Sequence, residues 1–386
     1  MDFSLGDQQV AIKEMVSRFA QDELSPYAEK WDEEKIFPVD TIKKTAELGL
    51  AGIYTKEDVG GSGLGRLDAV LIFEGLSQGC ISTAAYISIH NMVSWMIDNF
   101  ASQELRQRFC PKLTTMDMLA SYCLTEPGSG SDAAAMKTKA VRSGDHYIIN
   151  GSKAFISGAG VSDLYLVMVR TGDVSTHPGA SGVTAILIEA GTPGLTFGAN
   201  ERKMGWNSQP TAMVNFDECK VPVANLIGRE GEGFKFAMMG LDGGRLNIAA
   251  CSLGAATMAL TAALDYAHER SAFGKRLNQQ QALQFKLADM ATQLEAARIM
   301  LYQAAWKLDH KTSDATRFCA MAKRYVTDIG FEIVNEALQI HGGYGYLRDY
   351  PLERMLRDVR VHQILEGTNE IMRVIVARDL LKDYQA

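Results

Sequence analysis

His146-Tyr147-Ile148-Ile149, Leu164-Tyr165-Leu166-Val167-Met168-Val169 and Val183-Thr184-Ala185-Ile186-Leu187-Ile188 are short apolar runs rich in aromatic and β-branched residues, separated by Gly, Ser, Asp and Pro. Runs of this length and composition, bounded by turn formers, read as strands. Ala212, Val214 and Phe216 follow at the period-two spacing of one strand face. The stretch Thr171 to Gly182, rich in Gly, Ser and Pro, is expected to be an exposed hairpin loop between two of the strands. The centre of the chain, from Leu119 to Arg229, is therefore expected to be an all-β unit.

Outward from that centre the period changes from two to 3.6. On the N-terminal side Ser4 and Asp7 have the spacing of a capping box, and Ile12, Met15, Val16 and Phe19 share one helix face. Further helices are expected over Asp68 to Leu76, Ala84 to Phe100 and Gln103 to Leu113, after a Gly-rich break from Gly60 to Gly65. On the C-terminal side three stripes recur: Leu260, Leu264 and Ala267; Leu287, Met290, Ala291 and Leu294; Ala322, Val326, Ile329 and Ile333. Breaks near Gly274, Lys311 and Gly342 divide this region into long helices, the pattern of a four-helix bundle. The fold class expected is α+β and multidomain: an N-terminal helical domain (1–118), a middle β-barrel or sandwich domain (119–229) and a C-terminal four-helix bundle (230–386).

Composition bounds the function. With 386 residues, 47% hydrophobic and 22% charged, the chain is globular, and its length suits two or three domains. Lys and Arg number 39 against 46 Asp and Glu, so no basic footprint for nucleic acid or an anionic membrane is present. No apolar run is expected to approach the roughly 20 residues needed to span a bilayer. The six cysteines are scattered without a C-x-x-C pair, and the seven histidines lack ligand spacing, which argues against a disulfide framework or a metal site.

Several segments invite a chemical reading. Gly60 to Gly65 lacks a preceding strand, and Gly342-Gly343-Tyr344-Gly345 follows a helix, so neither is a dinucleotide fingerprint; no P-loop occurs. Thr125-Glu126-Pro127-Gly128-Ser129-Gly130-Ser131-Asp132 could aim backbone amides at an anion or a polar ring, or could be a solvated turn. Arg270, ending a helix, could fork onto a diphosphate or complement the helix C-terminus, and Arg245 could be an anion clamp or a surface cation. Glu366 lies between apolar Ile364-Leu365 and Gly367. Desolvation there would raise its pKa toward the range of a general base, although an acid near a helix start is equally explained by the helix dipole.

Taken together, these segments resemble the acyl-CoA dehydrogenase flavoprotein family over nearly the whole chain. The motifs fall in the family's order: Tyr122 to Asp132, Asn150-Gly151-Ser152-Lys153-Ala154-Phe155-Ile156-Ser157, Arg270 to Gly274, Gln339-Ile340-His341-Gly342-Gly343, and Glu366-Gly367-Thr368-Asn369-Glu370. The resemblance implies a helical, β, helical order, a non-covalent FAD and a homotetramer. It implies that Tyr122, Cys123, Leu124, Thr125, Gly130 and Ser131, with Phe155, Ile156 and Ser157, flank the flavin ring and ribityl chain. Arg270, Gln281, Gln339, Ile340, His341, Gly342 and Gly343 match residues that reach the diphosphate or adenosine half, commonly across a subunit interface. Thr368, Asn369 and Glu370 match further FAD contacts, and Ser131 with Asp242, Gly243, Gly244 and Arg245 match positions that hold acyl-CoA.

The resemblance also assigns the chemistry. Glu366 matches the catalytic base that removes the α-proton of an acyl-CoA while the β-hydrogen leaves as hydride to the flavin. The backbone N–H of that glutamate and a ribityl hydroxyl form an oxyanion hole for the thioester carbonyl. Electrons then pass to an electron-transfer flavoprotein. Relatives that draw the base from the helix residue before the arginine matched by Arg245 have no counterpart here, where that residue is Gly244. Glutaryl-type relatives place an arginine in the pocket, and Cys80 to Phe100 contains no Arg or Lys. Ser82 to Asn91, Gly205 to Thr211 and Arg245 to Cys251 resemble most the members that act on short branched thioesters. The expected reaction is isobutyryl-CoA to methacrylyl-CoA in valine degradation, with 2-methylbutyryl-CoA or butyryl-CoA as alternative substrates. A family member that binds flavin and acyl-CoA without turnover is a second reading, which Glu366 weighs against. An oxidase that hands electrons to oxygen is a third. Members work in the bacterial cytoplasm or the mitochondrial matrix; Met1-Asp2-Phe3-Ser4, with no Arg/Ser-rich leader, favours the cytoplasm unless a presequence has been removed.

Overall fold

A computed structural model describes residues 4–172 and 175–384. The N-terminal region is helical: α1 (Asp7–Phe19), α2 (Ala28–Glu33), α3 (Val39–Glu47), α4 (Arg66–Gly79), α5 (Ile81–Phe100) and α6 (Gln103–Thr114). Helix α1 starts at Asp7 with Gly6 as its N-cap, not at the Ser4–Asp7 spacing; the Gly6 N–H donates to Gln9 Oε1 at 3.2 Å. A π-helical turn over Ala20–Leu24 extends α1, a feature without a sequence signature.

The middle region holds β1 (Ala120–Cys123), β2 (Lys139–Ser143), β3 (His146–Ser157), β4 (Leu164–Arg170), β5 (Val183–Glu189), β6 (Leu195–Phe197), β7 (Thr211–Pro222) and β8 (Leu226–Ile227). They form one eight-stranded sheet in the order β6-β7-β3-β2-β4-β5-β8, with β1 parallel to β4. Strand β4 is buried throughout because its alternate residues serve two cores. Leu164, Leu166 and Met168 pack with α5 and α6, whereas Tyr165, Val167 and Val169 face the interior of the curved sheet. The Thr171 to Gly182 stretch joins β4 to β5, which pair antiparallel from Arg170↔Val183. Asp173 and Val174 lie outside the described residues. Arg170 ties this loop down, donating to Gly179 O at 3.1 Å and Ala134 O at 2.6 Å.

The C-terminal region comprises α7 (Gly233–Glu269), a two-residue-strand hairpin β9 (Ser271–Ala272) and β10 (Lys275–Arg276), α8 (Gln281–Asp309), α9 (Ala315–His341), α10 (Leu352–Arg360) and α11 (Asn369–Leu381). Contrary to the expectation that no apolar run nears membrane-spanning length, helix α7 is long and apolar enough by length and composition to cross a membrane, with no charged residue from Leu246 to Leu264. It is the protein's central beam instead, packed on α4, α5, α8 and α9, and most of that apolar window is buried inside the protein. Arg357 of α10 fastens the two helical regions together, bonding Asp32 at 2.7 Å and Glu353 at 2.8 Å.

Candidate active site

Glu366 stands on the connection between α10 and α11, two residues before Thr368. Thr368 is the N-cap of α11 and accepts the Ile371 N–H on its hydroxyl at 3.3 Å. Glu366 and Gly367 both adopt left-handed backbone, with φ of 53° and 91°. For a glutamate this conformation is unfavourable and persists only where the surroundings impose it.

Two buried cations impose it. Arg245 of α7 donates Nε to the Glu366 carbonyl at 3.3 Å, while its Nη1 is held by Asp242 Oδ1 at 2.7 Å. Asp242 in turn accepts from Thr316 at 2.6 Å. Lys323 of α9, fully buried, donates to the Gly367 carbonyl at 2.7 Å and to Asn369 Oδ1 at 2.9 Å. Asn369 is fixed further by bonds from its Nδ2 to Asp328 at 2.7 Å and Thr327 at 3.0 Å. Each cation therefore grips a main-chain oxygen of the turn and leaves the carboxylate free.

The carboxylate itself has no hydrogen bond among the described residues, and its Oε2 is buried without a partner. Burial pushes the Glu366 pKa up to about 7, against the opposing pull of Arg245 and then Lys323. Room for the carboxylate comes from Gly244, where a Cβ would collide with Glu366 Oε2. A neighbouring collision at Gly243 would involve Arg66, a buried arginine stacked 3.7 Å from the Tyr54 ring centroid and 4.9 Å from that of Trp95. Cys80 to Phe100 holds no cation, yet the N-terminal region does supply this one from the first residue of α4.

The sheet brings a second set of residues to the same neighbourhood. Tyr122, on β1, has a buried hydroxyl with no partner, and burial with the nearby Glu366 charge raises its pKa. Cys123 is buried. The Leu124 carbonyl accepts from Lys153 at 3.0 Å and the Thr125 carbonyl from Ala154 N–H at 2.8 Å. Gly130 and Ser131 are exposed. Phe155 lies at an irregularity of β3 in left-handed backbone, which turns its ring outward to 66% exposure between buried Ala154 and Ile156. The Ser157 carbonyl accepts from Ser121 at 2.6 Å. An outward aromatic face and an unpartnered buried hydroxyl fit a flat, polar heterocycle such as a flavin.

Arg270, Ile340, His341, Gly342 and Gly343 converge elsewhere, on a surface cleft of about 410 Å³ also lined by Tyr266 and Tyr344. Arg270 is the C-cap of α7, with its guanidinium 5.7 Å from the Tyr344 ring centroid. His341 stacks on Tyr266 at 4.2 Å and bonds the Ala337 carbonyl at 2.8 Å. Gln281 opens α8 and Gln339 lies in the last turn of α9, and neither lines this cleft. Glu370 is exposed in the first turn of α11. The residues that converge thus form two groups on one chain, one around Glu366 and one around Arg270, with Gln281 and Gln339 outside the cleft.

Two features of the site, Lys323 and Arg66, lie in no motif of the sequence, and a third, the Glu126–Lys153 ion pair, joins two motifs whose pairing the sequence does not show. A signal for Lys323 is nonetheless present, since it lies four residues from both Cys319 and Thr327, on the buried face of its helix. Glu126 accepts from Lys153 Nζ at 2.8 Å and from the N–H groups of Lys137 and Thr138 at 2.6 and 2.9 Å, so it clamps the Tyr122 to Asp132 segment.

Comparison with known proteins places this geometry. Residues 6–117, 121–219 and 231–381 match the models for the acyl-CoA dehydrogenase N-terminal, middle and C-terminal domains. The chain is 55% identical over 379 residues to the mitochondrial isobutyryl-CoA dehydrogenase of Bos taurus, covering 98% of this chain and 90% of that one. Among solved structures it superposes on butyryl-CoA dehydrogenase from Megasphaera elsdenii with a TM-score of 0.95 at 38% identity, covering 99% and 100% of the two chains. A chain from a structure of the electron transferring flavoprotein of Acidaminococcus fermentans matches with a TM-score of 0.96 at 42% identity, covering 99% and 100%.

Proposed function

The chain belongs to the acyl-CoA dehydrogenase family, and on that premise we propose that it oxidises isobutyryl-CoA to methacrylyl-CoA, with Glu366 as the base. The observation that carries this reading is the Glu366 carboxylate: desolvated, unpartnered, and mounted on a turn whose main chain is held by two cations. A carboxylate with a pKa near 7 removes the weakly acidic α-proton of a thioester more effectively than one at its ordinary value. Gly244 cannot compete as a base, since it has no side chain, and its lack of one makes the space Glu366 occupies. The identity to the Bos taurus relative supports the branched substrate.

FAD is the proposed cofactor, and when bound it supplies the acceptor for the β-hydrogen, taken as hydride. Tyr122 to Thr125, Gly130, Ser131 and Phe155 to Ser157 would hold its ring end. Thr368 to Glu370 stand beside the base. Arg270, Gln281 and Gln339 to Gly343 would hold a diphosphate or adenosine from a neighbouring subunit. Ser131, Asp242, Gly243, Gly244 and Arg245 would line the path of the acyl-CoA. Exposed Phe273, Phe285, Trp306 and Tyr346 on the C-terminal helices and their connections support burial in a homotetramer. An electron-transfer flavoprotein is the proposed electron acceptor.

Anaerobic titration of the FAD-loaded protein with isobutyryl-CoA, following the visible flavin band, tests the reading. Bleaching at stoichiometric ligand is expected. Bleaching by butyryl-CoA or 2-methylbutyryl-CoA alone would replace the substrate and keep the chemistry, whereas none with any acyl-CoA would leave a binding protein.

A further inference from the structure

Strand β3 ends in an unusual backbone: Phe155 and Gly158 both take left-handed angles, with φ of 58° and 80°. Two ties fix the stretch between them. At its start the Ala154 N–H donates to the Thr125 carbonyl at 2.8 Å. At its end the peptide joining Ser157 to Gly158 is pinned from both sides. Its carbonyl accepts from the Ser121 hydroxyl at 2.6 Å, and its N–H donates to the Pro210 carbonyl at 2.9 Å. Gly158 has no room for a side chain, since a Cβ would lie 2.5 Å from Ser162 Oγ and 2.6 Å from both Ser121 Oγ and the Tyr86 ring.

Behind Ser121 stands a chain of hydroxyls. Ser121 Oγ is 2.7 Å from Ser162 Oγ, which is 2.8 Å from Tyr86 Oη, and all three residues are buried. Ser121 comes from β1, Ser162 from the connection between β3 and β4, and Tyr86 from helix α5. One turn along α5, His90 accepts the Ala120 N–H on Nδ1 at 3.2 Å, while its Nε2 meets the Leu113 carbonyl at 2.9 Å. Burial lowers the His90 pKa to about 4, so the ring is neutral and can accept on one nitrogen while donating from the other. The strand that carries Ser121 is therefore held in register against α5. A buried network of this kind, ending on a main-chain oxygen, specifies one geometry.

The residue so fixed has an idle hydroxyl: Ser157 is half-buried and its Oγ has no hydrogen bond among the described residues. Successive side chains of a strand face opposite ways, so Ser121 turns into the chain of hydroxyls while the next residue, Tyr122, carries the unpartnered hydroxyl of the site. Resting on FAD as the cofactor proposed above, we infer that Ser121, backed by Ser162 and Tyr86, is a positioning residue for the flavin ring: it sets the plane of the Ser157–Gly158 peptide and so the aim of the Ser157 hydroxyl. A donor held in place beforehand favours the state in which negative charge has developed, here the reduced flavin. Without Ser121 the Ser157 carbonyl loses its donor, and the glycine beside it lets the peptide turn.

The test is the midpoint potential of the flavin in the FAD-loaded protein, measured by anaerobic reduction against a reference dye. For Ser121→Ala it is expected to fall by about 30 mV, a tenfold loss of preference for the reduced form in a two-electron couple. Ser162→Ala and Tyr86→Phe weaken the support one and two steps further back. They are expected to lower the potential by less, and they serve if Ser121→Ala does not fold. Thermal unfolding of each variant is followed alongside, because a purely structural role would lower stability and leave the potential in place. An unshifted potential in Ser121→Ala, or in both other variants where that protein cannot be made, overturns the inference whatever stability is lost. Fluorescence titration of the wild-type apoprotein with FAD separates the two readings. No uptake there overturns the cofactor and this inference with it, whereas uptake with unshifted variants overturns the inference alone.

Discussion

Glu126 is buried and Glu366 is half-buried with its Oε2 enclosed; both lie near buried cations, and their carboxylates are treated in opposite ways. Glu126 spends its oxygens on Lys153 and on the N–H groups of Lys137 and Thr138. Burial alone would raise its pKa, but Lys153 and those donors hold it below the ordinary carboxylate value. Glu366 has cations as near neighbours too, yet Arg245 and Lys323 spend their donors on the main chain of its turn and on the Asp242 and Asn369 side chains. Its carboxylate is left without a bond and its pKa rises to about 7. Residue type is the same and each lies beside buried cations; where the neighbouring donors point decides which glutamate is mortar and which is reactive.

The largest effect expected from breaking this contrast is on turnover. Glu366→Gln keeps shape and volume and removes the proton acceptor, so the rate of flavin reduction should fall between about 10² and 10⁴-fold with FAD retained. Rapid-mixing reduction of the variant measures it. Substituting the other glutamate should reverse the pattern. Glu126→Ala strands the Lys153 ammonium in the interior and should cost about 3–5 kcal/mol of stability, read from denaturant unfolding, while the pH dependence of the surviving activity stays in place.

The two glutamates should also pull stability in opposite directions with pH. Glu366 binds its proton more tightly folded than unfolded, so stability falls as pH rises from about 4.5 to 7. The folded protein then carries roughly 3 kcal/mol of penalty above pH 7. Glu126 has the depressed pKa, so its contribution is present above the ordinary carboxylate value and lost as pH falls below it. Glu366→Gln should therefore be more stable than wild type at pH 8 and indistinguishable at pH 4.5, by thermal unfolding at both pH values. The smallest effect concerns Lys323. Lys323→Met removes a charge that lowers the Glu366 pKa, so the acidic limb of kcat/KM should move up by at most about one pH unit.

Much of the architecture was legible because it repeats. The 3.6-residue stripes on α7, α8 and α9 and the β-branched runs of β3, β4 and β5 announce themselves over whole elements. The short strands were not legible: β2 has a mostly exposed, polar pattern and β6 only three residues, so neither carries a period. Glu366 stood out because apolar residues and a glycine surround it in sequence. Ser121, Ser162 and Tyr86 could not, since the contacts that give them meaning span 36, 41 and 76 residues of chain. Lys323 sits on a buried stripe but reads as an ordinary helix cation, because the Gly367 carbonyl that its ammonium meets at 2.7 Å is 44 residues further along the chain.

The pH profile of kcat/KM for isobutyryl-CoA most directly tests the claim that Glu366 is an unpaired base, because it reports the essential base of the free enzyme. Activity should climb through an acidic limb centred near pH 7, where the Glu366 carboxyl loses its proton. A limb near pH 4.5, the position of an ordinary glutamate, or a flat profile through neutrality would contradict it.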